Sequence, residues 1–228
     1  MTILRITYYS ILDDGDDCLI FVEEADFNTV SENLAKIFAW FGQEVKVENI
    51  ARRLADVVFC QSKVVHNGDE WVMVRDWRKV LSQACCGTKH WNNPDEVRAM
   101  FGLVGACELA LNAGVPILQD FALALVRMAR GKTANLDNLD SGLMARMKAE
   151  YGDGWALAIN SPKAKPITDI ARDAFEQAFG VPDWQQSAIG EILSNWDLDS
   201  VNTKTVVTER DYTWVDTSSL SQQLPTIY

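Results

Sequence analysis

Near the start of the chain, apolar residues lie on both sides of a short acidic stretch, Ile6 to Ile11 before it and Cys18 to Val22 after it. Two β-prone runs separated by Gly15-Asp16-Asp17 predict a pair of strands joined by a tight hairpin with acids at its tip. From Asp26 to Phe41 the period changes. Phe27, Val30, Leu34, Ile37, Phe38 and Phe41 recur at helical spacing, with Asp26 or a Thr29–Glu32 box as the start signal and Gly42 as the stop. Gln43 to Asn49 alternates Val45 and Val47 with Glu44, Lys46 and Glu48, which predicts a half-buried strand. Two further β-rich runs, Asp56 to Gln61 and Trp71 to Val74, flank Asn67-Gly68, a hairpin signal.

From Asp76 onward the pattern is helical. Asn93 and Pro94, followed by Asp95 and Glu96, form a helix start: a cap, a first-turn proline and acids at the positive end of the dipole. Gly114 and Pro116 break that helix, and a second runs from about Ile117 to Arg130. The polar connector from Gly131 to Asp140 is the expected sub-boundary. Helices are expected near 141–151, 166–179 and 183–196. The last stretch, Asp197 to Tyr228, is rich in Thr, Ser and Gln and reads as a loose strap or a partly disordered tail. The fold class is α+β, with a β-rich head and a mainly helical remainder.

Composition adds bounds. With 228 residues, 48% of them hydrophobic, and eight tryptophans, the chain has material for a substantial core. No apolar run is long enough to span a bilayer, and the N-terminus lacks the shape of a secretory signal. Five cysteines, two of them adjacent at Cys85 and Cys86, argue against a disulfide framework and for a reducing compartment. Cys85, Cys86 and His90 lack the fourth ligand and the spacing of a zinc site. The net charge of −11 is ill-suited to holding nucleic acid unaided, so either the partner is not nucleic acid or another chain supplies the basic wall.

The chemistry concentrates in the acidic hairpin. Asp13, Asp14, Asp16 and Asp17 repel one another, and a hard divalent cation such as Mg²⁺ relieves that repulsion with oxygen ligands it favours. A solvated acidic tip is the other reading of the tripeptide alone.

Further residues extend the pattern. Val58 to Val64, which contains Cys60, Gln61, Ser62 and Lys63, is followed by Trp71 to Asp76 with Arg75, then by Leu81-Ser82 and by Asn112 to Gln119. Together with Gly15-Asp16-Asp17 and with Gly42 to Glu48, these stretches resemble motif C, motif D, motif E and a thumb segment of viral RNA-directed RNA polymerases. The resemblance is to the tombusvirus-like, positive-strand type. Gln83 departs from it, standing where these enzymes usually carry a lysine, and residues after about Arg130 match nothing recognisable.

That resemblance implies a partial polymerase palm (hairpin, helix, strand, hairpin) over residues 1–84, a helical thumb over 85–199 and a C-terminal tail over 200–228. It implies nucleotidyl transfer in viral RNA replication, with Asp16 and Asp17 as the metal-binding catalytic acids for Mg²⁺ or Mn²⁺. Lys46 is implied as proton donor to the leaving pyrophosphate, its other reading being a solvent-facing strand lysine paired with Glu44 and Glu48. Cys60, Gln61, Ser62, Lys63 and Arg75 are implied to contact the RNA product strand, with Arg78 and Lys89 as further phosphate contacts. Asp13 and Asp14 are left to shape the turn or tune charge. The implied partners are RNA template and product, nucleoside triphosphates, and a second polypeptide carrying the fingers and motifs A and B, in a replication complex in the host cytoplasm. On that footing the chain is inactive alone. A permuted arrangement using Asp211 and Asp216 has the spacing but lacks the accompanying serine–glycine loop. The reading from a different class is a non-catalytic acidic α+β interaction module, or an inactive polymerase fragment.

Overall fold

A computed structural model describes residues 3–86 and 94–197, and the backbone of residues 2, 202–206 and 212–216. The chain divides into two compact units, Met1–Lys63 and Val64–Tyr228. Its architecture is mixed α+β, as the hydrophobic patterning predicts.

In the first unit, β1 (Tyr9–Asp14) and β2 (Asp17–Val22) pair antiparallel, with Tyr9 opposite Val22 and Asp14 opposite Asp17. That register leaves Gly15 and Asp16 as a two-residue loop. Gly15 has φ +69° and Asp16 does not share the positive φ, which is the requirement of a type II′ turn for glycine at its first central position. A Cβ on Gly15 would meet no neighbour, so the demand there is one of backbone conformation alone.

The helix α1 (Phe27–Trp40) follows a single 3-10 turn at Glu24–Asp26, and no side chain caps it. Val30 is buried while Phe27, Leu34, Ile37 and Phe38 are half-buried. Its end is a Schellman motif, with Gln43 N–H donating to Phe38 O (3.1 Å) and Gly42 N–H to Ala39 O (3.0 Å). Phe41, expected on the apolar stripe, is exposed.

Two expectations fail in this unit. Residues 43–50 carry no regular structure, and Val47 is exposed. Alternation selects a strand only where a neighbouring strand accepts its hydrogen bonds, and the sheet of this unit is a two-stranded ribbon. Exposed ion pairs follow just beyond the segment. Arg52 forks onto Glu24 (2.9 and 3.3 Å) and lies 5.2 Å from the Phe27 ring centroid, while Arg53 forks onto Asp56 (2.8 Å twice). Nor do residues 56–61 form a strand. Leu54–Asp56 is a 3-10 turn and Phe59 to Ser62 is a tight turn, so the strand β3 begins only at Ser62.

The strand β3 (Ser62–His66) pairs with β4 (Trp71–Arg75), and the Asn67-Gly68 signal marks their turn. Asn67 Oδ1 accepts from Asp69 and Glu70 N–H (3.0 Å each), and its Nδ2 donates to Ala113 O (3.2 Å). Asp76 then caps α2 (Trp77–Gln83) by accepting from Arg78 and Lys79 N–H.

The core of the second unit lies between α3 (Pro94–Leu111) and α4 (Leu118–Ala129) and includes Phe101, Leu103, Phe121 and Leu125, all fully buried. Their close approach depends on Gly105, where a Cβ would sit 2.9 Å from Leu125 Cβ. The helices α5 (Ser141–Tyr151), α6 (Trp155–Asn160), α7 (Asp169–Phe179) and α8 (Asp183–Ser194) complete this layer with Met147, Ile159, Phe175, Ile189 and Leu193.

The connector at 131–140 is tied in: Ala134 N–H donates to Ala99 O (2.9 Å) and Leu139 is buried. Thr168 caps α7, which therefore starts three residues later than expected. Within the tail, β5 (Asn202–Val206) and β6 (Tyr212–Asp216) form an antiparallel pair where a loose strap was expected.

Among the described residues no helix is long and apolar enough to cross a membrane.

Candidate active site at the acidic hairpin

The first unit contains most of the residues singled out by the sequence, with the acids at the β1–β2 tip. The Asp14↔Asp17 pair closes the ladder and Asp16 occupies the loop itself. Asp13, Asp14, Asp16 and Asp17 are all exposed. Among the described residues Asp16 has no hydrogen-bond or ion-pair partner, so its carboxylate is open to an incoming ligand.

Facing this tip within the same unit is the turn Phe59-Cys60-Gln61-Ser62. Phe59 N–H donates to Ser62 O (3.0 Å) and Ser62 N–H to Phe59 O (2.9 Å), which makes it a two-residue hairpin turn. Its central residues have φ +48° at Cys60 and +58° at Gln61, the left-handed pair that a type I′ turn demands and that Asn-Gly usually supplies. Holding two ordinary side chains there costs about 1–2 kcal/mol each, a strain kept where surrounding contacts over-determine the backbone.

One such contact is visible: Cys60 Sγ–H donates to Asp14 Oδ2 at 3.5 Å. Desolvation pushes the Cys60 thiol up to about 11, with Asp14 and then Asp17 adding to the effect. The thiol is therefore neutral at physiological pH and acts as a donor to the carboxylates, not as a thiolate ligand. Ser62 Oγ–H closes the turn further by donating to Cys60 O (3.4 Å).

Lys63 enters β3 directly after this turn, and its charge helps to hold the Asp56 carboxyl below the usual carboxylate range, behind the larger effect of the Arg53 hydrogen bond. Lys46 lies on the irregular segment paired with Glu48 (2.9 Å), both side chains more than 70% exposed. Such a pair is worth at most about 1 kcal/mol and yields readily to a better anion.

Arg75 belongs to the second unit, at the end of β4, where its Nη2 donates to Gln83 Oε1 (3.4 Å). Gln83, the residue that departs from the usual lysine, thus receives an arginine hydrogen bond. The Arg78 guanidinium lies over the Trp77 ring, 4.4 Å from its centroid. Lys89, His90 and Asp211 lie outside the described residues, and Asp216 ends β6.

As a test of fit for a divalent ion, the tip supplies two adjacent carboxylates, hard oxygen donors of the right chemistry. Among the described residues no group of three or more His, Cys, Asp or Glu side chains converges to hold a metal. The donor set therefore suits the ion but amounts to part of a site.

Sequence inspection gave Asp14 a role in shaping the turn or tuning charge, with no partner named for it. Its contact with Cys60 spans 46 positions, and no local signal announces it.

Comparison with known proteins identifies the family of the chain. A family model described as viral RNA dependent RNA polymerase matches residues 4–201. The chain is 29% identical over 189 residues to the RNA-directed RNA polymerase of red clover necrotic mosaic virus, covering 83% of this chain and 24% of that protein. It is 30% identical over 193 residues to the RNA-directed RNA polymerase of turnip crinkle virus (82% and 24%), and 31% identical over 172 residues to that of carnation ringspot virus (75% and 22%). It spans about a quarter of the length of these relatives. No solved structure matches. The chain belongs to the viral RNA-dependent RNA polymerase family, of the tombusvirus-like kind.

Proposed function

We propose that the chain is the catalytic-hairpin and thumb portion of an RNA-directed RNA polymerase, with residues 1–84 as partial palm, 85–199 as thumb and 200–228 as tail. The observation that carries this reading is the unpartnered Asp16 carboxylate at a rigid two-residue loop, opposed by the strained Cys60-Gln61 turn. Asp16 and Asp17 hold Mg²⁺ or Mn²⁺. The bound ion supplies charge neutralisation at the phosphates and lowers the pKa of the attacking hydroxyl.

The chain's own residues do the rest. The hairpin fixes the direction of the two acids, and Cys60 steadies the tip through Asp14. The backbone of Gln61 and Ser62, together with Lys63 and Arg75, contacts the RNA product strand. Lys46 leaves Glu48 to give its proton to the departing pyrophosphate. Nucleoside triphosphates and RNA are the substrates, and the setting is a replication complex in the host cytoplasm. Because two carboxylates are an incomplete donor set, polypeptide outside these 228 residues, in the same or another chain, supplies the remaining acid.

The test is paramagnetic broadening by Mn²⁺ in the 228-residue protein. Amide signals of residues 14–18 broaden at millimolar ion, and Asp16→Asn removes the effect. Uniform broadening over all surface acids, unchanged in Asp16→Asn, overturns the assignment.

A further inference from the structure

On the second unit, at the ends of α4 and α8, a cavity of about 220 Å³ is lined by Arg98, Arg127, Met128, Arg130, Trp196 and Asp197. Three guanidinium groups against one carboxylate give the lining a formal charge of +2, on a chain whose net charge is −11. Two of the arginines have hydrogen-bonding capacity to spare. Among the described residues Arg98 Nε is buried without a hydrogen-bond partner, while Nη1 of the same side chain reaches Asp95 at 3.4 Å. Asp95 is shared with Lys132 at 2.6 Å, which weakens its hold on Arg98. Arg130 has no ion pair or hydrogen bond from its side chain among the described residues, and its backbone is held left-handed at φ +51°. Arg127 is the structural member: its Nη2 donates to Leu193 O (3.1 Å) and Trp196 O (2.6 Å), capping the end of α8.

A buried guanidinium N–H without a partner is destabilising, and an oxyanion ligand that accepts from it relieves that cost. Arginine forks match phosphate oxygens in planar, bidentate fashion. The volume is below the roughly 300–1,000 Å³ of pockets that enclose a whole drug-sized ligand, so the cavity suits a phosphate cluster and leaves any base and sugar outside. A surplus of two positive charges fits a multiply charged terminal phosphate better than a singly charged phosphodiester. We propose that this cavity binds a di- or triphosphate group, carried either by a free small molecule (pyrophosphate or a nucleoside triphosphate) or by the 5′ end of an RNA. The site is separate from Asp16 and Asp17, and its test is run without metal so that the two readings fail independently.

The experiment is calorimetric titration of the 228-residue protein in EDTA with pyrophosphate, GTP, and matched short RNAs bearing a 5′-triphosphate or a 5′-hydroxyl. Pyrophosphate is expected to bind. Arg130→Ala is expected to weaken it at least about tenfold, with helical circular dichroism and Tm unchanged because Arg130 is exposed and makes no contact that holds the fold. Arg98→Lys, which keeps the charge but loses the planar fork, weakens it too. Tighter binding of the 5′-triphosphate RNA than of GTP assigns the site to an RNA end, and the reverse order assigns it to a free nucleotide. Three results overturn the proposal: no binding of pyrophosphate, binding indifferent to Arg130→Ala, or equal Arg130-dependent binding of the 5′-hydroxyl RNA, which gives these arginines to the diester backbone.

Discussion

Replacing Arg146 with Met tests how the helical unit tolerates a buried charge. The Glu108 side chain is 2% exposed on α3, and Arg146 Nη1 on α5 donates to its Oε1 at 3.1 Å. Asn112 Nδ2 supplies the other bond, to Oε2 at 2.9 Å. Burial raises the Glu108 carboxyl above its usual range, and Arg146, Asn112 and Arg75 pull the other way. Removing one partner of a buried pair costs about 3–5 kcal/mol. Arg146 is 25% exposed, and Asn112 stays, so the low end applies: about 3 kcal/mol at pH 7.5. In a protein of this size that lowers Tm by roughly 6–12 °C.

The pH dependence follows from the sign of the shift. A carboxyl whose folded pKa is raised binds more protons folded than unfolded, so stability is fullest below the unfolded value of about 4.3 and falls as pH rises through the folded value. Arg146→Met removes the first of the groups that oppose burial, so it widens that window upward. The Tm deficit is therefore expected to be smaller at pH 5 than at pH 7.5. Adding Glu108→Gln to Arg146→Met recovers most of the loss at pH 7.5, because a neutral amide no longer needs a cation. Thermal unfolding of the wild-type, Arg146→Met and double-variant proteins at both pH values decides the matter. An equal deficit at pH 5 and 7.5, with no recovery in the double variant, would refute the reasoning.

Three further outcomes follow from contacts described above. Gly105→Leu forces atoms into Leu125 and Val126 and lowers stability by at least about 1–3 kcal/mol in urea titration. Gln119 Oε1 accepts from Gly114 N–H (2.8 Å) and Lys165 N–H (2.9 Å) while its Nε2 donates to Lys165 O (2.9 Å), so Gln119→Ala leaves these groups unpaired, at a cost of about 1–3 kcal/mol, and speeds hydrogen exchange at the Lys165 amide. Lys46→Gln removes only an exposed pair and changes stability by less than about 0.5 kcal/mol, leaving any loss of nucleotide addition attributable to chemistry.

What could be read from the sequence was what local physics determines. The helices from Pro94, Leu118 and Asp183 follow from apolar periodicity with a proline start or a glycine–proline break, and Gly15 follows from its turn. The expected strand at 43–49 failed because alternation names a face but not a partner. Val57, Val58 and Phe59 read as β-prone, yet the left-handed backbone at Cys60 and Gln61 ends that run, and nothing in those two side chains announces positive φ. The helix at Trp155–Asn160 is six residues long and preceded by Gly152 and Gly154, which read as loop. Pairing of Asn202–Val206 with Tyr212–Asp216 was hidden in a stretch whose composition favours solvent. At the candidate site the acidic tripeptide was legible, but the bond from Cys60 to Asp14 was not, because it joins two turns far apart in sequence.

The most direct measurement of the central claim is single-nucleotide addition on a primed RNA by the chain joined to a candidate polypeptide for the proposed remainder of the palm. Asp16 is exposed and has no partner among the described residues, so Asp16→Ala is expected to leave stability and assembly unchanged. The same change is expected to abolish addition with either Mg²⁺ or Mn²⁺, because on the proposed reading it removes a carboxylate that holds the ion and nothing else. An Asp16→Ala assembly that adds nucleotide at the unaltered rate would contradict the account.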